Sequence, residues 1–292
     1  MREYLLNFLR DYEYEPEDID YLISTYDKVM ADKEAAEMWN SAIAMYEENI
    51  ECTYSKITET ADKVGEILCL HEFTLEFLIF ACLSKHTAKV YKERGISEEI
   101  YKNTMMDLRD KLDECKMVKG VVGIFVPYWF YGFFALKRFA IGRLQFELKP
   151  FGRNYEKDGK VLNEESIVID THIPRGRTPL NEEECEKAYK QAAEFFKDQL
   201  NGECAFVCDS WFLFPENKTI MSPNSNIYKF MSRYDVIESK IDKNRGLLWR
   251  VFGTEEKNLS RLTATNSLQR AYLEHAKAGG KLGTGYGVFF YP

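Results

Sequence analysis

The chain has 292 residues, enough for two ordinary domains, and its 45% hydrophobic and 29% charged content excludes a disordered polymer. Lys and Arg total 39 against 47 Asp and Glu, a formal charge of −8, so no basic excess exists to grip nucleic acid or an anionic membrane. The seven cysteines are odd in number and scattered, and the four histidines lie far apart; neither set has zinc-site spacing, so no metal is expected.

The opening residues, MREYLLNFLRDYEYEPED, soon become charged and contain no apolar signal-peptide core. Reduced thiols and a cytoplasmic location are therefore expected. Residues 1–118 read as an all-helical N-terminal domain. Pro16-Glu17-Asp18 opens a helix, because Pro suits the first turn and acids suit the positive helix N-terminus. Ile19, Leu22, Ile23 and Tyr26 follow at helical spacing, and Trp39, Ile43, Tyr46 and Ile50 mark the next helix. Phe73 to Leu83 is strongly apolar and reads as a central helix, stopped at Gly95. Ser97 then caps another helix with Ile100, Met105, Leu108 and Leu112 on its buried side. The uncharged segment Gly120–Leu136 contains Pro127 and falls short of the roughly 20 residues a membrane span needs, so it reads as a buried segment.

From 119 to 292 the pattern becomes α/β. Ile141–Leu148 alternates, with Leu144, Phe146 and Leu148 on one side and Arg143, Gln145 and Glu147 on the other, as in a half-buried strand. Ser166–Ile173 is a second strand, antiparallel to the first across a loop turning at Asp158-Gly159. Asn181 caps a helix with Glu184 at its third position. Cys204–Phe214 reads as a strand, Asn224–Tyr234 as a helix, Val236–Ile241 and Leu247–Phe252 as strands, Glu255 to Ala278 as a helix, and Val288–Tyr291 as a last short strand. The Gly-rich stretch Gly279–Gly287 follows a helix and precedes a strand, the reverse of a dinucleotide fingerprint, and reads as a turn. The expected class is α+β: a helical domain, then a mixed sheet with helices on its faces.

The strand–helix order of the second part, and the stretches IGRLQFEL (Ile141–Leu148), THIPRG (Thr171–Gly176), CDSWFLFP (Cys208–Pro215), SPNSNIYKF (Ser222–Phe230) and WRVFG (Trp249–Gly253), resemble a bacterial group of two-domain GNAT-like acyltransferases. The resemblance implies an acyl-CoA cosubstrate held where two central strands part. It also implies transfer to the amine of a small molecule or peptide, with the helical domain on the acceptor side. It carries over the phosphate turn to Ile173, Arg175, Gly176 and Arg177, a CoA-contacting Asn to Asn224 or Asn226, and an acid to Tyr228.

The residues leave alternatives open. Arg175 and Arg177 beside a glycine make a phosphate clamp, or a basic tip paired to Glu182, Glu183 and Glu184. The family's usual glycines are missing from this turn, and three acids at the next helix start oppose a pyrophosphate there. His172 is a general base at a strand end or a hydrogen-bonded core residue. Glu147 is a second base candidate or an ion-pair partner of Arg143. Asp209 interrupts an apolar strand, as a site residue or a buried hydrogen-bonding group. Asn224 and Asn226 are equally natural helix caps. The favoured function is an acyl-CoA-dependent N-acyltransferase using His172, Glu147, Asp209 and Tyr228. The alternatives are a GNAT-like protein that binds a ligand or partner without catalysis, and a hydrolase using Asp209 and His172.

Overall fold

The computed structural model describes residues 1–176 and 178–292. Its packing divides the chain into two units, Met1–Phe139 and Ala140–Pro292.

The first unit is built of helices: α1 (Arg2–Asp11), α2 (Pro16–Ala31), α3 (Lys33–Glu48), α4 (Tyr54–Leu68), α5 (Glu72–Glu93), α6 (Glu98–Lys119) and α7 (Tyr128–Phe134). Their ends are set by local chemistry. Pro16 opens α2, Asp32 accepts from the Ala35 N–H to cap α3, and Ser97 accepts from the Ile100 N–H to cap α6. Helix α5 is buried nearly all round, as its continuous apolar sequence requires; its Phe77 and Phe80 are fully buried, as are Trp39 and Tyr46 of α3, and the Phe80 ring meets those of Phe130 and Phe134. Only Tyr128–Phe134 of the long apolar segment is helical. Its Phe130, Phe133 and Phe134 are buried, and the Tyr46 hydroxyl donates to the Phe134 carbonyl at 2.9 Å. This packing carries the first unit to Phe139, past the change of sequence pattern at 118. Among the described residues no helix is long and apolar enough to cross a membrane.

One group in this core carries an electrostatic cost. Glu76 is only 6% exposed and its Oε2 has no hydrogen-bond partner among the described residues. Burial, reinforced by the nearby Asp62 and Glu72 carboxylates, pushes its carboxyl up to about 8.

Strand β1 (Arg138–Ile141) begins at the end of the first unit; the second unit goes on with β2 (Leu144–Pro150), β3 (Tyr155–Lys157), β4 (Lys160–Leu162) and β5 (Ile167–His172). Then come α8 (Glu182–Phe196), β6 (Ala205–Ser210), α9 (Asn217–Ile220), α10 (Asn226–Arg233), β7 (Asp235–Ile241), α11 (Leu248–Phe252), α12 (Ser267–Lys277) and β8 (Gly283–Phe290). The main sheet runs β1-β2-β5-β6-β8-β7, and β3 and β4 form a separate hairpin. Asp158 and Gly159, both at positive φ, turn that hairpin. The expected strand Ile141–Leu148 is divided by Gly142, whose φ of +60° suits a residue without a Cβ.

Strand periodicity sorts the sheet into two faces. On one, Phe146, Ile169, Phe206 and Phe289 lie in register under α8, with Tyr189 of that helix 4.9 Å from the Phe206 ring centroid. On the other, Val168, Ala205, Val207 and Val288 form a core with Phe151 and Leu162. The polar row expected on this second face of β2 is not solvated: Gln145 is 2% and neighbouring Arg143 8% exposed.

Four expectations are corrected downstream. Leu247–Phe252 is helical, not a strand: Asp242 accepts from the Leu247 N–H, and Gly253 ends the short helix in the left-handed region. Only Ser267–Lys277 of the expected helix Glu255 to Ala278 forms; before it, Thr254, Glu256 and Asn258 accept from nearby backbone N–H groups, a local alternative to the helical ladder. The Gly-rich stretch is not wholly a turn, because β8 starts at Gly283. A Cβ at Gly285 would lie 2.2 Å from the Leu213 carbonyl oxygen, so the glycine admits a neighbouring backbone. Finally, Ser225 rather than Asn224 or Asn226 caps α10, accepting from the Tyr228 N–H.

Candidate active site

Strands β5 and β6 are parallel neighbours at the centre of the sheet. They register only at Ile169–Phe206 and Asp170–Val207, and pairing does not continue to their C-terminal ends. A gap between two parallel strands leaves backbone groups without a ladder, and open α/β sheets place ligands beyond such strand ends.

His172 is the last residue of β5 and stands beside this gap. It is opposite Gln145 in the β2 register, with Glu147 opposite Asp170, so all four side chains share one face. The His172 Nε2 is 2.8 Å from Glu147 Oε1 and 3.8 Å from Asp170 Oδ2. Asp170 is 6% exposed, and its Oδ2 accepts from Lys149 Nζ at 2.6 Å. Its other oxygen, Oδ1, is buried without a hydrogen-bond partner among the described residues. The two base candidates of the sequence, Glu147 and His172, are thus brought together, and Asp170 and Lys149 join them. A buried carboxylate needs an opposite charge, and Lys149 supplies it two pleats along the same face from Glu147.

Asp209 does not fit its sequence expectation of a buried carboxylate. It is exposed near the end of β6, opposite Tyr286 of β8. The Tyr286 ring lies under the Arg153 guanidinium at 3.9 Å, and its phenol is buried without a hydrogen-bond partner among the described residues. Burial raises the Tyr286 pKa, so the group stays a neutral phenol.

After His172 the chain continues through Ile173, Arg175 and Gly176; Arg177 lies outside the described residues. Ile173 is half-buried and Arg175 exposed. Arg143 holds this loop from below. Its Nε donates to the Thr178 carbonyl at 2.7 Å, Nη1 to the Pro174 carbonyl at 3.0 Å and Nη2 to the Arg175 carbonyl at 3.4 Å. Gly176 has a φ of +42°, and a Cβ there would come within 3.1 Å of Arg143 Nη1. The loop feeds α8, whose cap is Asn181 accepting from the Glu184 N–H at 2.8 Å. The three glutamates of that first turn engage lysines: Glu183 and Glu184 reach Lys187, and Glu182 lies 3.7 Å from Lys229.

Between the start of α8 and α10 lies a cleft of about 390 Å³. Asn181, Cys185, Asn226, Tyr228, Lys229 and Arg233 are among its walls. Burial pushes the Cys185 thiol up to about 11, so it remains protonated and a poor nucleophile. Asn224 is exposed on the approach to α10, where its N–H donates to Ser222 Oγ.

Residues 139–289 match the GNAT-like C-terminal domain family, and residues 3–136 match the N-acyltransferase N-terminal domain family. The chain belongs to the GNAT-like acyltransferases. A comparison with curated proteins finds no match. Among solved structures, this acyltransferase is similar to an acyltransferase in complex with decanoyl-CoA and teicoplanin, at 19% identity and a TM-score of 0.75, over 98% of this chain and 87% of that one. It is likewise similar to an acyltransferase in complex with decanoyl-CoA, at 18% identity and a TM-score of 0.77, with the same coverage.

Of the candidate site, the sequence did not single out Asp170, Lys149, Lys229 and Arg233, and Arg143 stood only as a polar-side residue or an ion-pair partner of Glu147. Alternation along β2 and β5 carried a partial signal, since Glu147 and Lys149, like Asp170 and His172, are two residues apart and therefore cofacial. Their approach across the strands depends on register, which alternation within either strand alone does not fix. For Arg143's hold on the loop the sequence has no signal, because these partners are carbonyls more than thirty residues away.

Proposed function

We propose that the protein transfers an acyl group from acyl-CoA to a primary amine, with His172 as general base. The observation carrying this reading is the His172–Glu147 contact of 2.8 Å beside the end of the β5–β6 pairing. A carboxylate can only accept, so the Nε2 proton is donated to Glu147 and the lone pair is left on Nδ1. The amine nitrogen attacks the thioester carbonyl carbon as its proton passes to Nδ1. Glu147 stabilises the resulting imidazolium. The tetrahedral intermediate then expels the CoA thiolate, which takes a proton. Tyr228, on the wall of the α8–α10 cleft, is the acid candidate for that last step.

The loop held by Arg143 and the α8–α10 cleft would take the phosphate-bearing end of CoA, with Arg175, Gly176 and Asn226 along it. Lys229 and Arg233 support this assignment. They engage Glu182 and Glu186 of α8, and a phosphate competes for such cations with carboxylates already in place. The acceptor is a small amine-bearing molecule or peptide, in keeping with teicoplanin in a similar acyltransferase.

Thiol release from acetyl-, octanoyl- and decanoyl-CoA, measured over a panel of amines, tests the reading. His172→Ala should lower kcat by about 10²–10⁴-fold, the contribution of a positioned base. Glu147→Gln should lower it less, because the imidazole keeps its place but loses the charge that stabilises its cation. CoA release that stays unchanged in both variants, or that needs no amine, would sink the mechanism.

A further inference from the structure

We propose that Glu147, Asp170 and His172 also form a divalent-metal site of zinc type, and that an ion bound there switches off His172 as a base. Binding of the ion does not depend on the acyl-transfer reading; only the loss of activity does.

The three side chains each offer one donor atom, and these atoms lie within 4.8 Å of one another. One imidazole nitrogen and two carboxylate oxygens suit Zn²⁺, which takes such ligands at about 2.0–2.2 Å and leaves a fourth position for water. Register puts them together on the sheet: Glu147 is opposite Asp170, and His172 is two residues along the same strand face. The second observation is Asp170 itself. It is only 6% exposed, and its Oδ1 has no hydrogen-bond partner among the described residues. A buried carboxylate oxygen left in that state costs free energy, and a cation beside it removes the cost.

Lys149 is the feature that opposes an ion. Its ammonium already holds Asp170 Oδ2 at 2.6 Å. That same Oδ2 is the oxygen 3.8 Å from His172 Nε2, so an ion must share it with Lys149 or draw Oδ1 toward the imidazole by a turn of the carboxylate. The Glu147 and Asp170 carboxylates attract a dication, and the Lys149 ammonium beside Asp170 keeps its affinity below that of a dedicated structural site.

The effect on the base follows from proton bookkeeping. A metal takes the Nε2 lone pair, so the Nε2 proton leaves for solvent. The imidazole stays neutral by binding a proton at Nδ1, the atom that otherwise accepts from the amine. The ion therefore selects the unreactive tautomer without unfolding anything.

Zinc chloride titrated into the full chain against a chromophoric chelator gives the test. One ion per chain is expected. His172→Ala, Asp170→Asn and Glu147→Gln should each weaken binding by at least about 10-fold, the effect expected when part of a metal site is removed. Lys149→Met should tighten it, a direction a merely structural role would not give. Nitrogen NMR of labelled histidine should place the His172 proton on Nδ1 in the zinc form. Circular dichroism guards against misfolding, and Glu147→Gln, a near-isosteric change on a half-buried side chain, is the variant least prone to it. The proposal is overturned by the absence of stoichiometric binding, by binding that survives all three ligand variants and is lost on cysteine alkylation, or by weaker binding in Lys149→Met. Zinc binding without any acyl transfer would retain the metal site and refute the enzyme mechanism instead.

Discussion

On the proposed function, replacing Arg143 by Met should weaken CoA binding while leaving the chemistry assigned to His172 nearly intact. The guanidinium donates to three carbonyls of the segment 174–178, two of them at 2.7 and 3.0 Å. A hydrogen bond involving a charged group contributes about 1.5–3 kcal/mol, so the two short ones alone order the loop by roughly 3–6 kcal/mol. At about 1.4 kcal/mol per decade, removing them shifts the loop's ordered fraction by roughly 100-fold or more. CoA must then reorder the loop on binding, and its apparent affinity falls with that fraction. The expected result is a rise in CoA KM of at least about 10-fold, with kcat at saturation changed less than about 3-fold. Arg143 lies outside β2 and β5, whose pairing holds Glu147 and His172. Arg143→Lys should recover only part of the loss, since an ammonium cannot serve three divergent carbonyls as a guanidinium fork does. Steady-state kinetics with varied CoA, together with amide hydrogen exchange of residues 174–178, measure both halves. Unchanged exchange and an unchanged KM in Arg143→Met would refute the loop argument.

Other substitutions probe the frame around the site. Gly285→Ala drives a methyl group to 2.2 Å from the Leu213 carbonyl oxygen; it should cost at least about 3 kcal/mol, the upper end of ordinary overpacking, and lower the melting temperature of the second unit by about 6 °C or more. Asn217→Ala removes an amide that donates to the Trp211 and Phe212 carbonyls and accepts from the Tyr272 hydroxyl, and chemical denaturation should register a loss of about 2–4 kcal/mol. Glu76 gives a pH dependence. Its folded carboxyl titrates near 8, above its unfolded value, so the native state binds the extra proton and stability falls as pH rises from about 4.5 to about 8. Glu76→Gln should therefore raise the melting temperature of the helical unit more at pH 8 than at pH 5; an equal gain at both would contradict the raised value.

The helical unit was legible because its signals are local. Pro16 and Ser97 mark helix starts by chemistry within one turn, and α5 announces its buried position by being apolar on all sides. The strands β2 and β5 were legible by alternation. Short apolar runs were not: Leu247–Phe252 satisfies a strand pattern, and only the reach of Asp242 to the Leu247 amide turns it into a helix. Gly283, Gly285 and Gly287 read as turn residues because flexibility is what glycine usually signals. In β8 they are chosen for absence of bulk, which only the positions of Lys240, Leu213 and Tyr234 disclose. At the site, His172 and Glu147 were identifiable as polar groups on strands. Asp209 is the exposed position of an otherwise apolar strand that stays paired, between buried Cys208 and half-buried Ser210, a local exception that hydropathy alone does not mark. Asp170 and Lys149 stayed hidden because a charge pair across two strands leaves no trace in either strand alone.

The alternation of the central strands has an evolutionary corollary. Along β5 the odd-numbered residues Ile169 and Thr171 face the helix side, while Val168, Asp170 and His172 face the opposite way. The polar positions 170 and 172 therefore alternate with the residues packed under α8, while Val168 on their own face belongs to a core, so substitutions at 172, the strand's half-buried end, leave the aromatic layer under α8 undisturbed. Losing a single residue within the strand would exchange the two sets at a stroke, so position 172 can diversify by replacement but the strand scarcely at all by deletion.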